Sequence, residues 1–376
     1  MRAVPWWPPE ALAAQYPVTN QAVTKQARSM SQVVEQLAEL TAFRDRDVVD
    51  TTLAGALRDL LRPRQVAIHR CVGDDHDRRW LTRARLNIGD LVASADSLWT
   101  ELHDLPRLED HPARLQALQQ QASVSVAGAP HVTIFPLTTD RDVVGVLELL
   151  TDDAMDASSH RLVGSILRIY RNFQALLDYS ERDTLTGLLN RKTFDEAFYK
   201  LSSNPPVDAD QAPQDVPASE RRVALASLPH YIGVIDIDHF KSVNDNYGHL
   251  IGDEVLLLLS RLMRSVFRFH DRLYRFGGEE FVVLMRCAGD AEAAIALERL
   301  RATVHAFVFP QVGTISISVG FTAIKTGDTP STAFERADRA VYWAKTHGRN
   351  QVCSHAALVA SGELADDSKV GDVELF

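Results

Sequence analysis

Apolar residues recur every third or fourth position in some stretches of this chain and every second position in others. The two periods divide it into helices and strands. Met30, Val34, Leu37 and Leu40 mark a helix over Gln21–Phe43, and Val48–Leu61 reads as a second that stops at Pro63. Gln65–Val72 alternates as a strand does, Trp80–Asn87 reads as another, and Pro106–Ala122 reads as a helix. His131–Thr138 and Val143–Leu150 are strand-like and flank a turn at Thr139–Asp142. The pattern predicts an α+β domain of sensor size over residues 46–158. Before it come an arm and helix, 1–45, whose start is Pro-rich and carries Trp6 and Trp7.

A long helix follows, within 159–182. Leu162, Ile166, Ile169, Phe173 and Leu176 are spaced 4, 3, 4, 3, the seam of a two-stranded coiled coil. The same spacing suits an amphipathic helix packed on its own domain, so periodicity leaves both readings open. From Asp183 onward helices and strands alternate. Helices are predicted at Arg191–Leu201, Asp253–Phe267, Ala291–Phe307 and Pro330–Thr346, with strands at Tyr231–Asp236, Leu273–Phe276, Phe281–Met285 and Thr314–Thr322. Residues 202–220 hold Pro205, Pro206, Pro213 and Pro217 among Asp, Gln and Ser, a composition that reads as a flexible insertion. This C-terminal domain is expected over 183–354, and 355–376 is read as a disordered tail.

Composition adds bounds. The chain has 376 residues, 45% of them hydrophobic and 24% charged, enough for two or three separately cored domains and too apolar for wholesale disorder. Forty basic against fifty acidic residues give a net charge of −10, so nothing argues for a nucleic-acid partner. Three cysteines, Cys71, Cys287 and Cys353, lie far apart and suggest neither a metal site nor a disulfide framework. The start MRAVPWWPPE has no apolar signal core, and no apolar run is long enough to span a bilayer. The expectation is a cytoplasmic protein without a transmembrane segment.

Chemistry concentrates in two places. In Val234–Asp245, VIDIDHFKSVND, an apolar strand runs into Asp236, with Asp238 two positions on. Carboxylates at the end of a buried strand are costly without a cation or donor, and such oxygen ligands suit Mg2+. An Asp capping the following helix is the ordinary alternative. In Arg275–Leu284, RFGGEEFVVL, two strand segments flank Gly277, Gly278, Glu279 and Glu280, a hairpin whose glycines allow a ligand close to the backbone. Glutamates at such a tip are commonly just solvated. If the hairpin pairs beside the Asp236 strand, Glu279 and Asp236 can share a metal.

Taken together, DTLTGLLNR at Asp183–Arg191, DIDHFKSVND at Asp236–Asp245, GHLIGD at Gly248–Asp253, GGEEF at Gly277–Phe281 and AKTHGRN at Ala344–Asn350 resemble the GGDEF-family diguanylate cyclases. The resemblance implies a palm-like domain, a central sheet flanked by helices. It implies Mg2+, two per site with Mn2+ as a possible substitute, held by Asp236, the Ile237 carbonyl and Glu279. Glu280 would be a second acidic group whose part in catalysis stays open. Asn244 and Asp253 would read guanine, with Phe240, Gly277 and Gly278 lining the substrate. Lys241, Lys345 and Arg349 would hold phosphates, although Lys345 and Arg349, at a helix end, otherwise read as ordinary surface charges. His249 either contacts substrate or orders its loop. Arg268 and Asp271 match the spacing of the family's product-inhibition site, where a surface ion pair is the plainer reading.

The implied activity joins two GTP molecules into cyclic di-GMP plus two pyrophosphates, in a homodimer regulated by the N-terminal domain and by product. That domain is similar to GAF domains in the layout of Pro136–Leu150, PLTTDRDVVGVLELL. Its ligand, if it has one, is not legible; His69 and Cys71 lie on a strand, and such residues more often pack than bind a cofactor. Competing readings are a non-catalytic receptor for the same nucleotides and a cyclase making a mixed dinucleotide. Asp253 argues against the second and the intact motifs against the first.

Overall fold

The computed structural model describes residues 34–36, 38–42, 46–73, 77–97, 100–139, 143–202 and 228–365. The expectations for Trp6 and Trp7, for most of the first helix and for the Pro-rich insertion lie outside the described residues. Contacts divide the chain into two compact units, the first built mainly from residues up to Gln174 and the second from Ala175 onward.

The first unit contains α1 (Arg46–Leu61), β1 (Gln65–Gly73), β2 (Arg78–Asn87), α2 (Pro112–Gln120), β3 (Val124–Val126), β4 (His131–Thr138), β5 (Val143–Thr151) and the long α3 (Ala157–Glu181). The strands form one sheet in the order β2-β1-β5-β4-β3. Ala67 lies opposite Glu148 and His69 opposite Val146, so these four share a face, and Arg70 points to the other. On the Arg70 face, its guanidinium donates to Asp50 of α1 at 2.7 Å and to the hydroxyl of Tyr170 on α3, which itself donates to Asp50. On the opposite face Arg114 of α2 grips Glu148 at 2.7 Å. His69 is buried and bonded to Thr82, and burial pushes its ring down to about 2, which keeps it neutral.

Two expectations need correction here, at α2 and at the C-terminus. The helix expected over Pro106–Ala122 begins only at Pro112, after a short 3-10 turn at Leu108–Asp110. On α3 the buried stripe is Val163, Ile166, Tyr170 and Leu177, whereas Leu176 of the expected heptad seam is 67% exposed. The inward face carries Tyr170, whose hydroxyl bonds the buried Asp50, and leaves Leu176 on the outside. And 355–376 is not disordered from its first residue: His355–Ala360 is a helix, capped by Ser354 and anchored by Leu358 against Ala340, Ala344 and Cys353.

The second unit adds β6 (Leu189–Asn190), α4 (Arg191–Ser202), β7 (His230–Ile237), α5 (Phe240–Tyr247), α6 (His249–Val266), β8 (Arg272–Gly277), β9 (Glu280–Arg286) and α7 (Asp290–Ala306). A small ribbon, β10 (Val308–Phe309) with β11 (Gly313–Thr314), precedes β12 (Ile317–Ala323), α8 (Pro330–Thr346), β13 (Val352–Ser354) and α9 (His355–Ala360). The strand expected from Thr314 thus starts only at Ile317, Thr314 being in the ribbon. Six strands make the sheet β13-β12-β7-β9-β8-β6, antiparallel at its centre and parallel at β12–β13 and β6–β8.

Alternation along β7 places the site. Tyr231, Ile235 and Ile237 face a core with Leu256, Leu259 and Met263 of α6 and Leu297 and Leu300 of α7. Ile232 and Val234 face the other core, with Phe194 and Phe198 of α4 and Ala337 and Val341 of α8. Asp236 is next in that second series, so it emerges under α8.

Candidate active site

Asp236 stands opposite Glu280 in the β7–β9 ladder and opposite Ser318 in the β7–β12 ladder, so three strands fix its place. It is 6% exposed. Its Oδ2 meets the Nζ of Lys345, from the last turn of α8, at 2.7 Å, and its Oδ1 is buried with no hydrogen-bond partner. Burial raises the Asp236 pKa, Lys345 opposes the rise, and Asp238 and Asp338 add to it. Glu279 and Glu280 are raised likewise, by burial first and by the Asp236 charge next.

Asp338 belongs to this cluster although the motifs did not single it out. It lies on α8 seven positions before Lys345, two helical turns along the same face, and its charge acts on both Asp236 and Glu280. Burial raises its own carboxyl, with Lys345 opposing. The i, i+7 spacing in ADRAVYWAK was the available signal. Four carboxylates against the ammonium of Lys345 leave a surplus of negative charge, and the orphaned Asp236 Oδ1 is an acceptor without a donor. Both features fit a divalent cation. Among the described residues no three His, Cys, Asp or Glu side chains form a ready metal cage.

The GGEEF turn is held from outside. Gly277 and Gly278 have φ of 146° and 51°, conformations that glycine adopts without strain. Arg275 donates to the Gly278 carbonyl at 2.8 Å and, through its other arm, to Asp183 at 3.0 Å. Burial resists ionisation of Asp183, but bonds from Thr186 and Arg275 outweigh it and hold the carboxyl below its ordinary value. Asp183 of the DTLTGLLNR motif is thereby a support of the turn, a link that the sequence alone did not reveal.

Around the cluster, Phe240 is buried at the start of α5 and Asn244 follows one turn on. A β-carbon on Gly252 would sit 2.0 Å from the Asn244 Oδ1, so the missing side chain makes room for that amide beside the first turn of α6. Asp253 is the next residue and is exposed, as are His249, Lys241 and Arg349. The structure therefore brings Asp236, Glu279, Glu280 and Lys345 together, sets Asn244 next to Gly252, and joins no bond from Lys241 or His249 to either group. Asp238, the second carboxylate of DID, does not enter the acidic cluster through bonding. It accepts from Ser316, Ser318 and the Asn350 N–H.

Arg268 and Asp271 lie together between α6 and β8. The Arg268 N–H donates to Asp271 Oδ2 at 2.9 Å, its guanidinium is near Glu292 at 3.4 Å, and Asp271 Oδ1 is buried without a partner. Burial pushes the Asp271 carboxyl up to about 6.

Residues 219–351 match the family model described as diguanylate cyclase, GGDEF domain. The chain is 32% identical over 280 residues to diguanylate cyclase DgcP of Pseudomonas aeruginosa, covering 69% of this chain and 39% of that protein. It is 36% identical over 190 residues to diguanylate cyclase DgcZ of Escherichia coli, covering 47% and 57%. It thus spans about half the length of these curated relatives or less. Among solved structures, the GGDEF domain of DgcB from Caulobacter crescentus in complex with c-di-GMP is 29% identical, with 47% of this chain and 93% of that one covered and a TM-score of 0.39. Six strands with Asp236 on one of the central pair, the glycine turn bearing Glu279 and the matched family model agree: residues 219–351 of this chain form a GGDEF domain.

Proposed function

We propose that this protein is a diguanylate cyclase that condenses two GTP into cyclic di-GMP and two pyrophosphates, acting as a homodimer. The observation that carries the reading is the convergence of Asp236, Glu279 and Glu280 on one acidic cluster, with Lys345 bonded to Asp236. Asp236, the Ile237 carbonyl and Glu279 would hold Mg2+, two per site or Mn2+ in its place, which when bound would screen the triphosphate and favour departure of pyrophosphate.

The chain's own groups do the rest. Asn244 and Asp253 hydrogen-bond the guanine edge, and the Asp carboxylate, an acceptor only, favours guanine over adenine. Gly277 and Gly278 let the nucleotide approach the backbone. Lys241, Lys345 and Arg349 bind phosphate oxygens, Arg349 through a planar fork and the lysines as point charges. Glu280, whose pKa burial has raised, accepts the proton of the attacking 3′-hydroxyl. One site holds one GTP, so the second 3′-hydroxyl comes from a facing site, and the half-exposed seam of α3, with Leu176 outermost, supports pairing of two chains through that helix.

We read the first unit as a GAF-like sensor on its five-stranded sheet with α1 and α3 on one face and α2 on the other. Arg268 and Asp271 form the product-inhibition site. No helix among the described residues is long and apolar enough to cross a membrane. The test is turnover: full-length protein with GTP and Mg2+, beside Asp236→Ala, products identified by mass. Cyclic di-GMP from the wild type alone is the expected result. Its absence, with GTP still bound, would favour a receptor.

A further inference from the structure

We propose that Asp238 is a positioning residue for Arg349. It would anchor the backbone turn that presents this arginine to the triphosphate and ligate no metal; the proposal rests on the phosphate-binding reading of Arg349. Asp238 is 5% exposed and both of its oxygens are engaged. Oδ1 accepts from the Ser318 hydroxyl at 2.7 Å. Oδ2 accepts from the Ser316 hydroxyl at 2.6 Å and from the Asn350 N–H at 3.1 Å. Its own N–H donates to the Ser316 carbonyl at 2.9 Å. Nothing is left over that calls for a cation, in contrast to the orphaned Oδ1 of Asp236.

The turn needs such an anchor. Gly348, Arg349 and Asn350 have φ of 107°, 61° and 45°, and two successive non-glycine residues in the left-handed region persist only where the surroundings hold them. The Arg349 N–H donates to the Ala344 carbonyl at 2.9 Å, closing α8, and the Asn350 side chain accepts from Arg301 of α7 at 2.7 Å. Asp238 supplies the acceptor for the Asn350 N–H, tying the turn to the end of β7, two residues from Asp236. The DID motif thus divides its labour. One carboxylate faces the acidic cluster, and the other fixes how far the arginine stands from it.

The test separates anchoring from ligation through the amide variant. In Asp238→Asn, an amide oxygen at the Oδ2 position keeps Ser316 and Asn350, and the NH2 donates to Ser318, whose hydroxyl can accept. With saturating Mg2+ and a GTP series, Asp238→Asn is expected within about twofold of wild type in both kinetic constants, while Asp236→Asn loses about 100-fold or more in turnover. Asp238→Ala should raise KM for GTP about tenfold with kcat falling less than about threefold. Combined with Arg349→Ala, it should be no worse than Arg349→Ala alone. Hydrogen exchange of the peptide around Asn350 should quicken in Asp238→Ala and not in Asp238→Asn. Should Asp238→Ala not fold, Arg301→Met, which strips the other anchor, carries the same expected rise in KM.

An Asp238→Asn enzyme as inactive as Asp236→Asn, multiplying effects in the double variant, or unchanged exchange in Asp238→Ala would each overturn the proposal. If Arg349→Ala leaves KM for GTP unchanged, the phosphate reading of Arg349 falls with its route to GTP. The exchange measurement then still reports whether Asp238 anchors the turn.

Discussion

The Nζ of Lys345 lies 2.7 Å from Asp236 Oδ2, so the ammonium that would bind a phosphate is paired with the carboxylate that would bind a metal. The lysine also opposes the rise that burial imposes on the Asp236 carboxyl. Lys345→Met should therefore raise that pKa further. The acid limb of the kcat/KM profile should move to higher pH, and turnover at neutral pH should fall about 100-fold. An acid limb that stays where it is would sink this reading of the pair.

The same burial has a cost in stability. Because the folded-state pKa of Asp236 is raised, the fold binds a proton more tightly than the unfolded chain does. Its ionisation destabilises the fold as pH rises from the ordinary carboxylate pKa through the raised one. Asp236→Asn, which does not titrate, should be inactive yet melt about 2–4 °C above the wild type at pH 7.5 without divalent cations. The advantage should shrink as the pH is lowered towards 4. Thermal scans across pH, with circular dichroism, read it directly, and an advantage that grows on acidification would contradict the argument.

Arg275 bridges the exposed Gly278 carbonyl and Asp183, and its ion pair with Asp183 is largely buried, at 11% and 22% side-chain exposure. Arg275→Ala would leave the Asp183 carboxylate and the turn carbonyl without that donor, at a cost of about 2 kcal/mol in urea unfolding. Arg275→Lys should recover little of this, because one ammonium cannot span both acceptors in the fork geometry. Full recovery by lysine would show that charge alone matters there.

Gly252 leaves room for the Asn244 amide, whose oxygen lies 2.0 Å from where a β-carbon would sit. Gly252→Ala should push that side chain aside and weaken guanine recognition, raising KM for GTP about tenfold, the loss of roughly one good hydrogen bond. Steady-state kinetics with GTP and with inosine triphosphate, which lacks the exocyclic amine, would show whether the guanine edge is what was lost. A variant with unaltered KM would place Asn244 outside the base pocket.

The proposed product-inhibition site rests on Arg268, exposed, and Asp271, whose Oδ2 accepts from the Arg268 N–H. Arg268→Ala should raise the concentration of cyclic di-GMP needed for half-inhibition about tenfold or more. Inhibition curves with added product decide it, and an unchanged curve in the variant removes the claim.

Much of the site was legible because its chemistry is local. A strand ending in Asp236, a glycine turn ahead of Glu279 and Glu280, and the ordered motifs from Asp183 to Asn350 are all short-range patterns. The hairpin's pairing beside β7, which sequence could state only as a condition, is met by the register that sets Asp236 against Glu280. Asp338 was missed because its membership depends on which face α8 turns to the sheet.

What the sequence by itself determined is the order of the longer helices and strands and which residues are of a type able to carry phosphate and metal chemistry. Hydrophobic period and side-chain type are written residue by residue. What only the tertiary structure decided is partnership: that Asp238 bonds Asn350, Ser316 and Ser318, that Asp183 bonds Arg275, that Tyr170 and not Leu176 is the inward residue of α3, and that Leu358 docks α9. Such pairs join residues far apart in the chain. They form because a buried polar group must find a partner and an apolar one must find a surface, and which partner is within reach is settled only when the sheets and helices have packed.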